Sequence, residues 1–306
     1  MKHVFIINPN AGKKELGEEL ISKLEKYKDK LDYEIYHTKG VRDATSYIEE
    51  YCENYKDDVI FYACGGDGTL NEVVSGAIKY KNAIVACYPS GSGNDFVKVY
   101  GGKEKFLNLD NLINGQEQLI DVMRVNDMYS VNVTNFGFDA SVCDIANNVR
   151  RKPIIGGRNS YTTGIIVSIF KAMKTKCKVT VDDSVLVEKK LLLSTIANGK
   201  YVGGAYKCAP YSDNQDGLLE VSIVKPISLF RFITLISSYK KGTHLDNPKF
   251  RKFITYTQAK KVVIDAYEGF KICLDGEIYK GTHFEIENMK QALRFVVPKT
   301  TNWSDI

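Results

Sequence analysis

Two glycine-rich turns, Gly65-Gly66-Asp67-Gly68-Thr69 and Pro89-Ser90-Gly91-Ser92-Gly93-Asn94-Asp95, each follow an unbroken apolar run. The runs are Val59-Ile60-Phe61-Tyr62-Ala63-Cys64 and Ala83 to Tyr88. Short continuous apolar runs bounded by glycines read as strands buried on both faces. Earlier residues repeat the theme. Val4 to Ile7 reads as a strand, and Leu16, Leu20, Ile21, Leu24 and Tyr27 recur at helical spacing. Ile35-Tyr36 is a short strand ending at His37-Thr38, and Ala44, Tyr47, Ile48, Tyr51, Cys52 and Tyr55 mark an amphipathic helix. A further helix begins Leu70-Asn71-Glu72-Val73-Val74. The βαβαβαβ order predicts an α/β domain with a parallel sheet, whose ligands bind at the carboxyl ends of its strands. The polar-glycine turns all fall at those ends.

Beyond about residue 120 the pattern turns β-rich. Runs at 119–125, 129–135, 178–181, 189–197, 217–224, 261–266, 271–274 and 282–287 are separated by turn signals such as Asp182-Asp183 and Asp275-Gly276. They predict an antiparallel sandwich or barrel, interrupted by helices near 159–173 and 228–240. Residues 294–298 form one more strand candidate.

The 44% hydrophobic and 26% charged fractions are those of a globular protein. The longest apolar stretches, 164–170 and 229–236, are too short to span a membrane. Met1 to Pro9 reads as strand and turn, not as a signal peptide. Seven scattered cysteines without a CxxC pair predict reduced thiols and a cytoplasmic protein. The net charge of +5 is uneven, with residues 1–125 at −4 and the remainder at +9. Basic clusters lie at Arg150-Arg151-Lys152 with Arg158, at Lys171, Lys174, Lys176 and Lys178, and at Lys240-Lys241 with Lys249, Arg251 and Lys252. The basic half could meet nucleic acid, an anionic membrane surface or an acidic substrate, while any single cluster reads first as a solvated face; no nucleic-acid-binding motif accompanies them, so no nucleic-acid partner is expected.

The glycine turns carry the chemistry. Glycines before a helix N-terminus let phosphates meet backbone N–H groups. A carboxylate inside such a turn, Asp67, implies a bridging metal or a hydroxyl to be held, and phosphoryl transfer needs both. Asn8-Pro9-Asn10-Ala11-Gly12-Lys13 ends the first strand with amide side chains and one glycine. Neither a Walker A loop nor a complete GxGxxG fingerprint is present, because Asn71 stands at the third glycine position. Ser92, Asn94 and Asp95 give the second turn a hydroxyl, an amide and a carboxylate. The turn Asp213-Asn214-Gln215-Asp216-Gly217-Leu218 offers oxygen ligands suited to Mg²⁺, and is equally readable as a metal-free hairpin. In Leu274-Asp275-Gly276-Glu277 two carboxylates flank a glycine, fitting a tight hairpin or a general base.

Together these motifs resemble the soluble bacterial diacylglycerol kinase and lipid kinase family, related to sphingosine and ceramide kinases. The resemblance also rests on Ala197-Asn198-Gly199, Gly203-Gly204, Ala209-Pro210 and Asp216-Gly217-Leu218-Leu219, and covers nearly the whole chain. It implies an α/β nucleotide-binding domain over residues 1–122, joined by the C-terminal segment 291–306, and a β-sandwich lipid-substrate domain over 123–290, with the nucleotide between them. It implies ATP as phosphoryl donor and Mg²⁺ as cofactor. Nucleotide-side residues would be Asn8, Asn10, Ala11, Gly12, Thr38, Gly65, Gly66, Asp67, Gly68, Thr69, Asn71, Glu72, Ser92 and Asn94. A metal would be held by Asp216 and the carbonyls of Asp213 and Leu218, linked through water to Asp67 and Asp95. The proton acceptor would be Glu277 or Asp275, with Asp67 the choice by analogy to sphingosine kinases. The expected reaction is transfer of the γ-phosphoryl group to a lipid hydroxyl, foremost that of diacylglycerol. The expected partner is an anionic membrane surface, visited peripherally from the cytoplasm, with a homodimer open. An NAD kinase with a soluble acceptor, or a non-catalytic nucleotide or lipid binder, are the alternatives. The GGDGT stretch alone does not separate the kinases.

Overall fold

The computed structural model describes residues 1–12, 14–150 and 175–299. The helix expected near 159–173, and the basic residues Arg151, Lys152, Arg158, Lys171 and Lys174, lie outside them, as do Lys13 and residues 300–306. The chain forms two compact units. One runs from Met1 to Val122 and resumes at Met289; the other is Met123–Asn288. No described helix is long and apolar enough to cross a membrane.

The first unit alternates β1 (Lys2–Ile7), α1 (Lys14–Leu24), β2 (Tyr33–His37), α2 (Asp43–Asn54), β3 (Val59–Gly65), α3 (Asp67–Ala77) and β4 (Ala83–Pro89). Two short helices follow, α4 (Lys103–Leu107) and α5 (Leu109–Ile113), then β5 (Gln116–Val125), which leads into the second unit. The strands pair in the order β2-β1-β3-β4, all parallel. Every residue of β3 and β4 is buried, as their continuous apolar sequence requires of strands covered on both faces. Helix α2 turns Ala44, Ile48 and Cys52 inward. Gly76 of α3 lets the two helices close up, since a Cβ there would lie 2.9 Å from the Ile48 Cβ. The register brings Ile7 level with His37 and Cys64, and Gly65 level with Pro89. The turns that follow these strands therefore gather at one edge.

The second unit continues with β6 (Met128–Ser130), β7 (Val133–Gly137), α6 (Phe138–Arg150), β8 (Thr175–Val181), β9 (Ser184–Leu191), β10 (Leu193–Ala197) and β11 (Leu219–Val224). Then come α7 (Leu229–Lys241), β12 (Ile254–Ala259), β13 (Lys261–Ala266), β14 (Lys271–Leu274), β15 (Glu277–Lys280) and β16 (His283–Val297), which returns to the first unit. One antiparallel sheet has the order β12-β11-β10-β7-β14-β15; β8 and β9 join β13 and the start of β16 in the other. Phe136, Ile196, Val221 and Ile272 meet Val179, Val262, Ile264 and Ile286 in the core between them. Each such side chain contributes roughly 1.5–3 kcal/mol by leaving water. Alternate residues of the first sheet, Val133, Leu193, Ala197 and Val224, point the other way, against Phe138, Phe232, Leu235 and Tyr239 of α6 and α7. This is a sandwich, not a barrel, with helices on one outer face.

Three local expectations change. The run 189–197 splits at Leu192, where the chain leaves one sheet for the other: β9 pairs with β8, and β10 with β7 and β11. Residues 282–287 and 294–298, read as separate strands, belong to the single strand β16. Its polar middle hid the continuity. There Gln291 takes φ +51° and its N–H donates to Asp121 Oδ1 at 2.7 Å. Beyond it, Arg294 and Phe295 pair parallel with Ile84 and Val85 of β4. Helix α6 escaped the sequence reading although Phe138, Val142 and Ile145 recur at helical spacing through it.

Candidate functional site

In the first unit three turns pack backbone against backbone. Gly12 has φ +68°, and a Cβ there would sit 1.8 Å from the Ser90 carbonyl oxygen. A Cβ on Gly91 would lie 2.4 Å from Gly66 Cα, and one on Gly93 would lie 2.8 Å from Asp67 Oδ2. Only glycine allows the first two approaches, which meet backbone; the third meets the end of a side chain. Asn8 Nδ2 donates to Thr69 Oγ1 at 3.0 Å, and its Oδ1 accepts from Asn10 N–H at 3.0 Å. Ala11 N–H donates to the Asn8 carbonyl at 3.1 Å, which closes the first turn. Thr38 is buried, its N–H on the Ile7 carbonyl at 2.9 Å.

Helix α3 starts at the second turn. Its N-cap is Gly66, in extended backbone, and no side chain caps it. The first N–H groups of such a helix, with its dipole, suit an anion. Asp67 stands in that first turn, and its Oδ1 accepts from Asp95 N–H at 2.7 Å and Phe96 N–H at 3.4 Å. The carboxylate thus clasps the third turn. Asp95 is buried and pairs with Lys98, a residue that sequence reasoning passed over. Asn94, at φ +49°, donates to the Gly91 carbonyl at 2.6 Å, while Ser92 is exposed. Burial pushes the thiols of Cys64 and Cys87, beneath these turns, well up from their ordinary range, so neither is a nucleophile.

Glu72 turns elsewhere. Its Oε1 accepts from Arg42 N–H at 3.0 Å and its carbonyl accepts from Thr45 Oγ1 at 2.8 Å. It fastens α3 to the start of α2, where Arg42 takes φ +63°. Gly68 and Asn71 lie in the opening residues of α3.

In the second unit the two carboxylates of the 274–277 hairpin have different surroundings. Asp275 takes φ +45°. Its Oδ1 accepts from Ser130 Oγ at 2.8 Å, Asn132 N–H at 3.2 Å and Val133 N–H at 3.0 Å. Its Oδ2 accepts from Val131 N–H at 2.9 Å. Four donors from the β6–β7 connection bind this carboxylate, three on Oδ1 and one on Oδ2, as in other backbone-bound anions. Glu277, first residue of β15, is exposed. Gly276 between them, at φ +97°, gives its carbonyl to Cys143 Sγ at 3.0 Å and Asn147 Nδ2 at 2.9 Å of α6. Ser130 and the N–H groups of 131–133 were invisible in the sequence, since more than 140 positions separate them from Asp275.

The acidic turn before β11 is ordered by its own side chains. Asp213 Oδ1 accepts from Gln215 N–H at 3.0 Å and Asp216 Oδ1 from Leu218 N–H at 2.8 Å. Gly217, at φ +84°, permits the bend. The Leu218 carbonyl accepts from Asn288 Nδ2 at 3.1 Å and keeps a second lone pair. Among the described residues no cluster of three His, Cys, Asp or Glu side chains could hold a metal. The turn instead offers one half-buried carboxylate, Asp216, with main-chain carbonyls. Those are hard oxygens, and they fit Mg²⁺ with waters completing its shell. Asp213 is exposed. Its charge also bears on Lys200, whose ammonium burial holds below the usual lysine range.

Residues 2–125 match the diacylglycerol kinase catalytic domain, and residues 132–297 match the YegS C-terminal NAD kinase beta sandwich-like domain. The diacylglycerol kinase of Bacillus subtilis (strain 168) is 30% identical, across 98% of this chain and 97% of its own. That of Staphylococcus carnosus (strain TM300) is 27% identical, across 96% and 94%. Among solved structures, a diacylglycerol kinase from Bacillus anthracis str. Sterne shares the fold, with TM-score 0.71 and 24% identity over 100% of this chain and 98% of that one.

Proposed function

Because the chain belongs to the family of diacylglycerol and lipid kinases, we propose that it transfers the γ-phosphoryl group of ATP to a lipid hydroxyl, that of diacylglycerol, giving phosphatidic acid. The observation that carries the chemistry is the unequal pair in the 274–277 hairpin. Asp275 accepts from Ser130 and three N–H groups, three of the four bonds falling on Oδ1, so its charge is already engaged in holding the hairpin. It acts as a positioning residue that fixes the hairpin. Glu277, exposed one residue beyond the glycine, is the general base.

The glycine turns of the first unit would receive the phosphates on the N–H groups at the start of α3. Asp67 and Asn8 hold those turns together, Asp67 through Asp95 N–H and Asn8 through Thr69. Asp216 and the carbonyls of Asp213 and Leu218 would hold Mg²⁺, which when bound would supply positive charge to that turn. In-line transfer then needs the acceptor oxygen oriented and its proton removed, and Glu277 does both.

Glu277→Gln keeps the shape of the side chain and removes its basicity. General-base catalysis is worth about 10²–10⁴-fold, and kcat is expected to fall by that factor. ATP binding, followed by titration calorimetry, and the melting temperature should stay at wild-type values. Radiolabelled ATP is to be offered with diacylglycerol, monoacylglycerol, sphingoid bases, ceramide, phosphatidylglycerol and NAD. Full turnover in Glu277→Gln would remove the assigned base. Labelling of NAD alone would remove the lipid acceptor.

A further inference from the structure

Helix α7 has two faces. Phe232, Leu235 and Tyr239 enter the core beneath it. The other side leaves Phe230 at 81%, Ile233 at 59% and Leu229 at 41% exposed. Three bulky apolar side chains on adjacent turns are a patch, where single exposed ones would be unremarkable on a protein surface.

The charges around that patch share one sign. Residues 225–254 contain Lys225, Arg231, Lys240, Lys241, Lys249, Arg251 and Lys252 against one acid, Asp246. Asp246 already accepts from the Tyr211 hydroxyl. At the start of the helix the Arg231 guanidinium lies 4.7 Å from the Phe253 ring, Arg251 and Lys252 immediately precede that residue, and the backbone of Lys225 is paired to it through an N–H bond of 2.8 Å to its carbonyl. Lys240 and Lys241 close the other end, about 15 Å along the axis from Phe230 at 1.5 Å per residue. Thr234 and Ser237, both exposed, lie between.

We propose that this face of α7 docks the protein on an anionic bilayer. Phe230, Ile233 and Leu229 would enter the headgroup–acyl boundary, with the two basic groups on acidic headgroups either side. The sign and spacing of charge select the partner. Lysine is depleted at protein–protein interfaces, whereas an anionic leaflet attracts every lysine and arginine close to it. An amphipathic helix with large apolar groups on one stripe and cations beside them is the form that lies in a membrane interface. The proposal rests on the lipid-kinase reading for its purpose, since the acceptor would reside in that bilayer.

The test uses vesicles that contain no diacylglycerol, without ATP, so that docking is measured apart from the reaction. The full chain is sedimented with phosphatidylglycerol–phosphatidylcholine vesicles and with phosphatidylcholine alone. Binding is expected only to the anionic vesicles and should weaken as salt rises. Phe230→Ser with Ile233→Ser should lower the partition coefficient about tenfold or more. Lys240→Glu with Lys241→Glu should lower it comparably, whereas Val185→Ser, an exposed apolar position on β9, should not. Turnover of a short-chain diacylglycerol dispersed as monomers should be unchanged in the Phe230/Ile233 variant. Wild-type binding by both double variants, or no binding by the wild-type chain, overturns the docking face. So does a change in oligomeric state on substitution without a change in vesicle binding, which would make α7 a contact between copies. Loss of turnover with every lipid, docking intact, would instead strike the kinase reading.

Discussion

Replacing Asp275 by asparagine tests whether its carboxylate is structural while that of Glu277 is the proposed base. The native side chain accepts three hydrogen bonds on Oδ1 and one on Oδ2. An amide can keep its oxygen at the Oδ1 position and preserve three of them. Its NH₂ then faces Val131 N–H, donor against donor, at a site where 2.9 Å now separates donor and acceptor. The three surviving bonds also lose the charge that strengthens them. One lost charge-assisted bond, one donor left facing another donor and three weakened bonds amount to about 2–4 kcal/mol. In a domain of this size each kcal/mol moves the melting temperature by about 2–4 °C, so the fall should be roughly 4–16 °C. Differential scanning calorimetry on Asp275→Asn and Glu277→Gln side by side is the assay. Asp275→Asn should melt early and keep measurable turnover at a temperature where it is folded. Glu277→Gln should melt normally and turn over poorly. An Asp275→Asn protein that melts with the wild type and is inert would refute the division of roles.

Two further perturbations address the first unit and the helical layer. Gly91→Ala drives a methyl into Gly66 Cα, backbone that cannot step aside, so a cost of about 1–3 kcal/mol and a raised KM for ATP are expected from unfolding and initial-rate measurements. An unchanged KM would show that the approach of the two turns is not needed for the nucleotide. Burial raises the carboxyl of Asp139 from 3.8 to about 6, while the Tyr239 hydroxyl that donates to it at 3.3 Å acts the other way. The folded protein then binds more protons than the unfolded chain between about pH 4 and 6, so this group lowers stability as pH rises through that window. The loss is up to about 3 kcal/mol and is complete above it. Asp139→Asn should flatten that limb in denaturant titrations across pH; a limb of undiminished slope would assign it elsewhere.

Much of the first unit is legible in the chain because its strands are apolar throughout and its turns are glycine. Both features follow from burial on two faces and from backbone contact, which few other residues permit. The sandwich is legible as a class but not in its joints. Leu192 looks like the middle of one strand, and only the pairing of its neighbours with different sheets marks it as a crossing. The polar stretch of β16 interrupts the apolar signal on which strand reading depends. Of the helix near 228–240 the sequence supplies the apolar residues, but not that Phe232 faces inward while Phe230 faces out. Asp275 is the clearest limit. In sequence it is one of two equivalent carboxylates, and its partners Ser130 to Val133 are set beside it only by the pairing of β14 with β7.

The pairing of β16 with β4 also has a meaning during synthesis. Ile84 and Val85 meet Arg294 and Phe295 only after more than 200 further residues have been made. Until then the apolar strand β4 has an open edge, and unpaired strand edges recruit other chains. The second unit, Met123–Asn288, is complete before that partner emerges and can fold ahead of it. The nascent chain would therefore finish its middle first and its beginning last. Truncation just before Arg294 should leave a protein whose N-terminal sheet lacks its last strand and whose failure appears as aggregation.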